Sequence, residues 1–189
     1  MVYNMGNVDI NKIEKNIYIA YKSKTSRYLA YIFYLYLHKR KNLNVFYDKA
    51  TIEVSDAWKE ILTTNLYKSN VCLIIGEKGA FDSLKIGKQD NDEFLNEVSS
   101  AIEKRKENQS EIIYLAVEGY KPWEDIEIET KSCIQNLKDY QWLTFHFKEK
   151  NECLIKEEIK EVVKRCEGLC NRGLLKSISV SSFYVGQIL

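Results

Sequence analysis

Proline occurs once, glycine eight times and histidine twice in the 189 residues. So little proline and glycine excludes flexible linkers and low-complexity repeats. No uncharged apolar run reaches the roughly 18 residues that a membrane span needs; the longest are Tyr28 to Leu37 and the last 13 residues. The opening MVYNMGNVDINKIEK lacks the apolar core of a secretory signal. Charge of one sign is also missing: 28 Lys and Arg stand against 27 Asp and Glu, a net charge of +1. That argues against a protein whose main work is neutralising phosphates, and no nucleic-acid partner is expected, while a local basic patch stays open; with no spanning run, no membrane partner is expected either. The five cysteines, at 72, 133, 153, 166 and 170, form no CxxC pair, and His38 and His146 lie far from them. Reduced thiols in a cytoplasmic protein are therefore expected, with no metal site, and the histidines are read as structural.

What is present is an ordinary globular balance, 45% hydrophobic and 29% charged, in a length that suits one domain. Residues 1–15 read as a polar arm. NIYIAY, Asn16 to Tyr21, is a strand by composition. Arg27 to Lys41 carries Leu29, Ile32, Phe33, Tyr36 and Leu37 at helical spacing. Leu43 to Tyr47 is a second strand, followed by a loop ending at Ser55 or Asp56 as N-cap and a helix through Trp58, Ile61, Leu62 and Leu66. Asn70 to Ile75 is continuously apolar, as in a strand buried on both faces. A long loop follows, then a helix from Glu93 to Arg105. A strand from Ile112 to Val117, an acidic loop, a strand from Trp142 to Phe147 and a helix from Glu152 to Glu167 complete the alternation. This order predicts an α/β, flavodoxin-like three-layer fold, with a five-stranded, mainly parallel sheet flanked by helices. The domain is placed at 16–168. The apolar, Ser-rich extension at 169–189 is expected to pack on the body or at an interface, its stretch from Gly173 as an extra strand or an interface segment.

In such a sheet, ligands sit outside the carboxyl ends of the strands. That singles out Tyr21, Lys22 and Ser23 after strand one, Asp48 after strand two, and the Gly76–Gly79 loop after strand three. Several familiar sites are excluded. IAYKSK has no GxGxxG, Gly87-Lys88-Gln89 lacks the hydroxyl of a P-loop, and no GxSxG elbow occurs. Tyr21-Lys22-Ser23 lacks the acidic cluster of a receiver domain. Glu97 stands out on the following helix, because Phe94 and Ala101 put it on an apolar face. A carboxylate there is either a boundary residue reaching solvent or a group with a chemical task, since desolvating a charge is costly.

Five segments in this order resemble a TIR (Toll/interleukin-1 receptor) domain over Asn16 to Glu167. NIYIAYKS is similar to its opening strand. LNVFYDKATIEVSDAWKEIL is similar to the second strand, the following loop and helix, with Phe46, Asp48, Ile52, Trp58 and Ile61 in the family's places. NLYKSNVCLIIGEKGAFDS and DEFLNEVSSA match the next two segments. The departures are Val54 or Ser55 at the loop glycine, Glu93-Phe94 at the usual Trp-Cys pair, and an insertion, LKIGKQDN.

The resemblance implies an enzyme that cleaves NAD+ at the nicotinamide–ribose bond, with Glu97 as the catalytic carboxylate. NAD+ is then a substrate, and no cofactor is implied. Nicotinamide leaves as a neutral amine, so one carboxylate facing the oxocarbenium-like transition state suffices, unlike the pair of ordinary glycosidases. Tyr21 is implied as a stacking ring or a core tyrosine at a strand end. Ser23 is a contact to ribose or phosphate or part of a solvated loop, Asp48 a ribose ligand or a turn cap, and Trp58 a core residue and pocket wall. The stand-alone bacterial form resembles the TIR component of Thoeris-like antiphage defence, which makes an ADP-ribose-derived signal sensed by a separate effector. Self-association through TIR–TIR contacts is also implied. The alternatives are a non-catalytic adaptor using those contacts and a nucleoside deoxyribosyltransferase-like enzyme.

Overall fold

The computed structural model describes residues 15–48, 57–85, 92–107, 109–125, 132–147 and 152–185, with no account of the side chains of 132, 133 and 173–185. The polar arm to residue 14, the cap at Ser55 or Asp56, and Ile52 and Val54 lie outside the described residues.

Five strands form one sheet: β1 (Asn16–Tyr21), β2 (Asn44–Phe46), β3 (Val71–Gly76), β4 (Glu111–Val117) and β5 (Gln141–Phe145). The order is β2-β1-β3-β4-β5 and every pairing is parallel. This is the predicted α/β three-layer fold. Strand side chains alternate between faces, and both faces are covered. Ile17, Ile19, Leu73, Ile75, Leu115 and Val117 pack beneath α1 (Arg27–His38) and α6 (Glu152–Val185). Tyr18, Ala20, Cys72, Ile74, Tyr114 and Ala116 pack beneath α2 (Trp58–Lys68), α3 (Asp82–Lys85) and α4 (Glu93–Lys106). Double burial is why β3 reads as an unbroken apolar run.

Two local features fix the second layer. Gly76 ends β3 where a Cβ would stand 1.8 Å from the Tyr114 hydroxyl oxygen, so the missing side chain makes room for that ring. The buried Lys104 of α4 reaches the last turn of α2, donating to the carbonyls of Leu66 at 3.0 Å, Tyr67 and Ser69. The Leu66 carbonyl also accepts from the Ser69 N–H and hydroxyl; the cation completes these helix-terminal acceptors at the negative end of the helix dipole. Burial pulls the Lys104 pKa down to about 8.

The structure differs from the sequence expectation at several places. The two segments expected as loops hold α3 and a 3-10 turn, Pro122–Glu124. The segment before β5 forms α5 (Ser132–Gln135) and a 3-10 turn, Asn136–Asp139, where no element was expected. Runs of four residues are too short to show a period. The fifth strand ends at Phe145, because the backbone N–H groups of His146 and Phe147 turn to the carboxylates of Glu158 and Glu118, each at 2.9 Å. The stretch from Gly173 is no extra strand: α6 continues in helical backbone to Val185. Once a helix is nucleated and anchored, here by the buried Ile159, Val163, Cys166 and Cys170, each further residue adds a hydrogen bond without a new nucleation cost. The roughly 0.5 kcal/mol against a β-branched residue or serine is too small to stop it.

Candidate active site

A cleft of about 350 Å³ opens beside β1, and it is bounded by β1 and the loop after it, the end of β2, α2 and the start of α4. This is the topological switch point: β1 lies between β2 and β3, so the chain leaves it in opposite directions. Tyr18, Ile19 and Tyr21 come from β1, Lys22, Ser23 and Lys24 from the following loop, and Asp48 from the end of β2. Trp58 and Leu62 come from α2, and Asp92, Glu93, Phe94 and Glu97 from α4. Of the residues singled out above, Tyr21, Lys22, Ser23, Asp48, Trp58 and Glu97 thus line one cavity, and the Gly76–Gly79 loop does not.

Glu97 is half-buried on α4, one turn beyond Glu93. Phe94, Leu95, Val98, Ala101 and Ile102 are buried and hold α4 against the sheet, which presses Glu97 toward β1. Its carboxylate and the Tyr18 hydroxyl both line the cleft and act on each other's protonation. Burial raises the Glu97 pKa well above the usual carboxylate range; the Tyr18 hydroxyl opposes this, and the nearby charges of Asp48, Glu93 and Asp92 add to the rise. Burial first, and then Glu97, raises the pKa of Tyr18. Tyr18 is therefore a neutral donor, its ring stacked on Phe46 at 5.1 Å.

A second group anchors the mouth. Asp92 is the N-cap of α4 and accepts from the Leu95 backbone N–H at 3.3 Å. The same carboxylate pairs with the Lys22 ammonium and accepts from the Ser83 hydroxyl. Desolvation pushes the Asp92 pKa up, but these bonds outweigh it and the net shift is downward. Two carboxylates of one helix end thus sit in opposite electrostatic states, the neutralised Asp92 at the cap and the unneutralised Glu97 a turn further in.

The other candidates take definite places. Tyr21 donates to Asp48, and its ring stacks on Tyr47 at 5.3 Å, so one ring face is already occupied. Asp48 meets Tyr21 where a turn cap or a ribose contact had been considered. Ser23 is exposed at the rim. Trp58 is half-buried against the core layer, with the Lys59 ammonium 5.4 Å from its ring centre. His146 stands away from the cleft, its Nδ1 3.4 Å from Glu118 Oε2. Cys72, Cys166 and Cys170 are buried free thiols. Among the described residues no group of three His, Cys, Asp or Glu is placed to hold a metal.

Sequence reasoning missed Tyr18 and Asp92. A tyrosine on the inward face of a doubly buried strand needs a partner for its hydroxyl, and that was the available signal for Tyr18. Asp before EFL is an N-cap pattern; its pairing with Lys22 across the chain carries no local signal.

Fold and cleft define an α/β protein with a doubly wound parallel sheet and an acidic cleft at its switch point. The chain matches no protein-family model and no curated protein.

Proposed function

We propose that the protein is a TIR-type enzyme that cleaves the nicotinamide–ribose bond of NAD+ and produces an ADP-ribose-derived signal in bacterial antiphage defence. The observation that carries this reading is Glu97: a carboxylate without a cationic partner among the cleft groups that set its pKa, at the edge of a cavity of ligand size. Such a group gains most when positive charge develops beside it. In the reaction the bond from ribose C1′ to the nicotinamide nitrogen breaks, and the electron pair leaves with neutral nicotinamide. The oxocarbenium-like ribose is stabilised by the Glu97 charge. Water, or another hydroxyl or amine of the product, then bonds to C1′ and gives its proton to Glu97. Tyr18 sets its neutral hydroxyl in the cleft near the carboxylate, and Asp92 with Lys22 fixes the helix start that carries it. The five segments similar to a TIR domain support the same reading.

The test is to incubate the purified chain with NAD+ and resolve nicotinamide and the ADP-ribose product by chromatography. Release that is lost in Glu97→Gln supports the proposal. No release at high protein concentration favours the adaptor, and turnover of deoxynucleosides but not NAD+ favours the transferase.

A further inference from the structure

Helix α1 is apolar on both sides. Its inner face buries Ala30, Phe33 and Leu37. Its outer face carries Tyr28, Tyr31, Ile32 and Leu35, exposed by 82%, 46%, 39% and 38%. Tyr28, Ile32 and Leu35 follow the spacing of a single helix line, and Tyr31 lies beside it. A helix that is hydrophobic all round is normally covered all round. The described residues cover only half of this one.

The unpaired charge at the ends of this ridge is positive. From Lys22 to Tyr47 the chain holds six Lys or Arg and no Asp or Glu. Lys22 pairs with Asp92 and Arg40 with Glu167. Lys24 and Arg27 at one end of α1, and Lys39 and Lys41 at the other, make no ion pair among the described residues. On the α6 flank, Lys156 and Lys160 face Tyr36 and are neutralised by Glu152 and Glu157. The ridge is thus an apolar line about 11 Å long, on a helix of about 18 Å, with cations at both ends.

A two-fold contact between copies fits this pattern badly. Antiparallel α1 helices would set Arg27 against Lys39 and Lys41, and parallel ones would set each cation against itself. Nucleic acid would leave Ile32 and Leu35, at the centre, without a stacking partner. An anionic lipid surface satisfies both parts: the apolar line enters the acyl boundary, the tyrosines sit at headgroup depth, and the cations meet the anionic headgroups. We propose that the outer face of α1 docks the protein peripherally on an anionic bilayer. No described helix is long and apolar enough to span one, so the contact is a surface one. It does not depend on the chemistry proposed for the cleft.

The test is co-sedimentation of the full chain with phosphatidylcholine vesicles, alone and with about one-third phosphatidylglycerol. Binding is expected only to the anionic vesicles and is lost near 0.5 M salt, where the screening length is only a few ångströms. Lys39→Glu with Lys41→Glu should weaken it at least about 25-fold, taking about fivefold per cation. Ile32→Glu with Leu35→Glu should abolish it, with circular dichroism unchanged and the chain still folding cooperatively, because both side chains already meet solvent in part. The proposal is overturned by absence of binding to anionic vesicles, or by binding that these variants leave intact. It is equally overturned if the Ile32/Leu35 variant changes the sedimentation coefficient of the free protein, which marks a contact between copies. Retention on single-stranded RNA in place of vesicles would also overturn it.

Discussion

Lys22 and Asp92, 70 positions apart in the chain, form an ion pair that ties the end of β1 to the N-cap of α4. The pair joins the two elements that carry Tyr18 and Glu97, so the cap of one helix sets the geometry of the cleft. Asp92→Ala should cost about 1–2 kcal/mol. The cap itself is worth about 1, and the ion-pair share is discounted because Lys22 keeps some solvent contact. Asp92→Asn retains the capping oxygen and should cost less. Urea midpoints check both.

The Asp92 shift has a pH signature. Its pKa is lower in the folded state, so its contribution is present above the unfolded value, about 3.9, and is lost as pH falls through the folded one. The wild-type advantage over Asp92→Asn should therefore shrink below about pH 4, as followed by urea denaturation across pH.

Glu97 has the opposite sign. Its folded pKa is raised, so ionising it costs stability as pH climbs from the unfolded value, about 4.3, through the folded one. Glu97→Gln should make the protein more stable at neutral pH, a gain that vanishes below about pH 4. The same variant should reduce nicotinamide release by about 10²–10³ or more. Glu93→Gln, one turn earlier and paired with Lys59 at 3.3 Å, should leave most turnover intact.

Gly76→Ala would set a methyl group against the buried Tyr114 ring. The ring lies between β4 and the aromatic layer, its hydroxyl bonded to the Tyr120 carbonyl at 3.0 Å, so it has little room to retreat. A loss of about 1–3 kcal/mol is expected, read from thermal or urea unfolding.

Lys104→Met keeps the stem but strips the Tyr67 and Ser69 carbonyls at the end of α2 of their donor and leaves that of Leu66 to the Ser69 N–H and hydroxyl. Unsatisfied buried acceptors cost about 1–3 kcal/mol in all once the relieved desolvation of the ammonium is counted. Amide exchange should quicken first in the last turn of α2, and Trp58 and Leu62, which ride on that helix, should lose order with it.

Local pattern was enough for the architecture. NVCLII announced a doubly buried strand because both of its faces are apolar, and Phe94, Val98 and Ala101 announced α4 because burial repeats with the helical turn. The position of Glu97 on that face was legible for the same reason. Other features depended on contacts between distant segments. Asp92 is read locally as a cap, and only the folded chain brings Lys22 and Ser83 to it. Tyr21 as a sequence symbol is an aromatic at a strand end; parallel pairing of β1 with β2 is what sets it against Tyr47 and Asp48. On α1 the helical set of Leu29, Ile32, Phe33, Tyr36 and Leu37 mixed the buried Phe33 and Leu37 with the exposed Ile32, because periodicity cannot separate the two faces of a helix that is apolar on both. Burial periodicity is a property of one segment and survives in the sequence, whereas partners, charges and coverage belong to pairs of segments and exist only once the sheet has assembled.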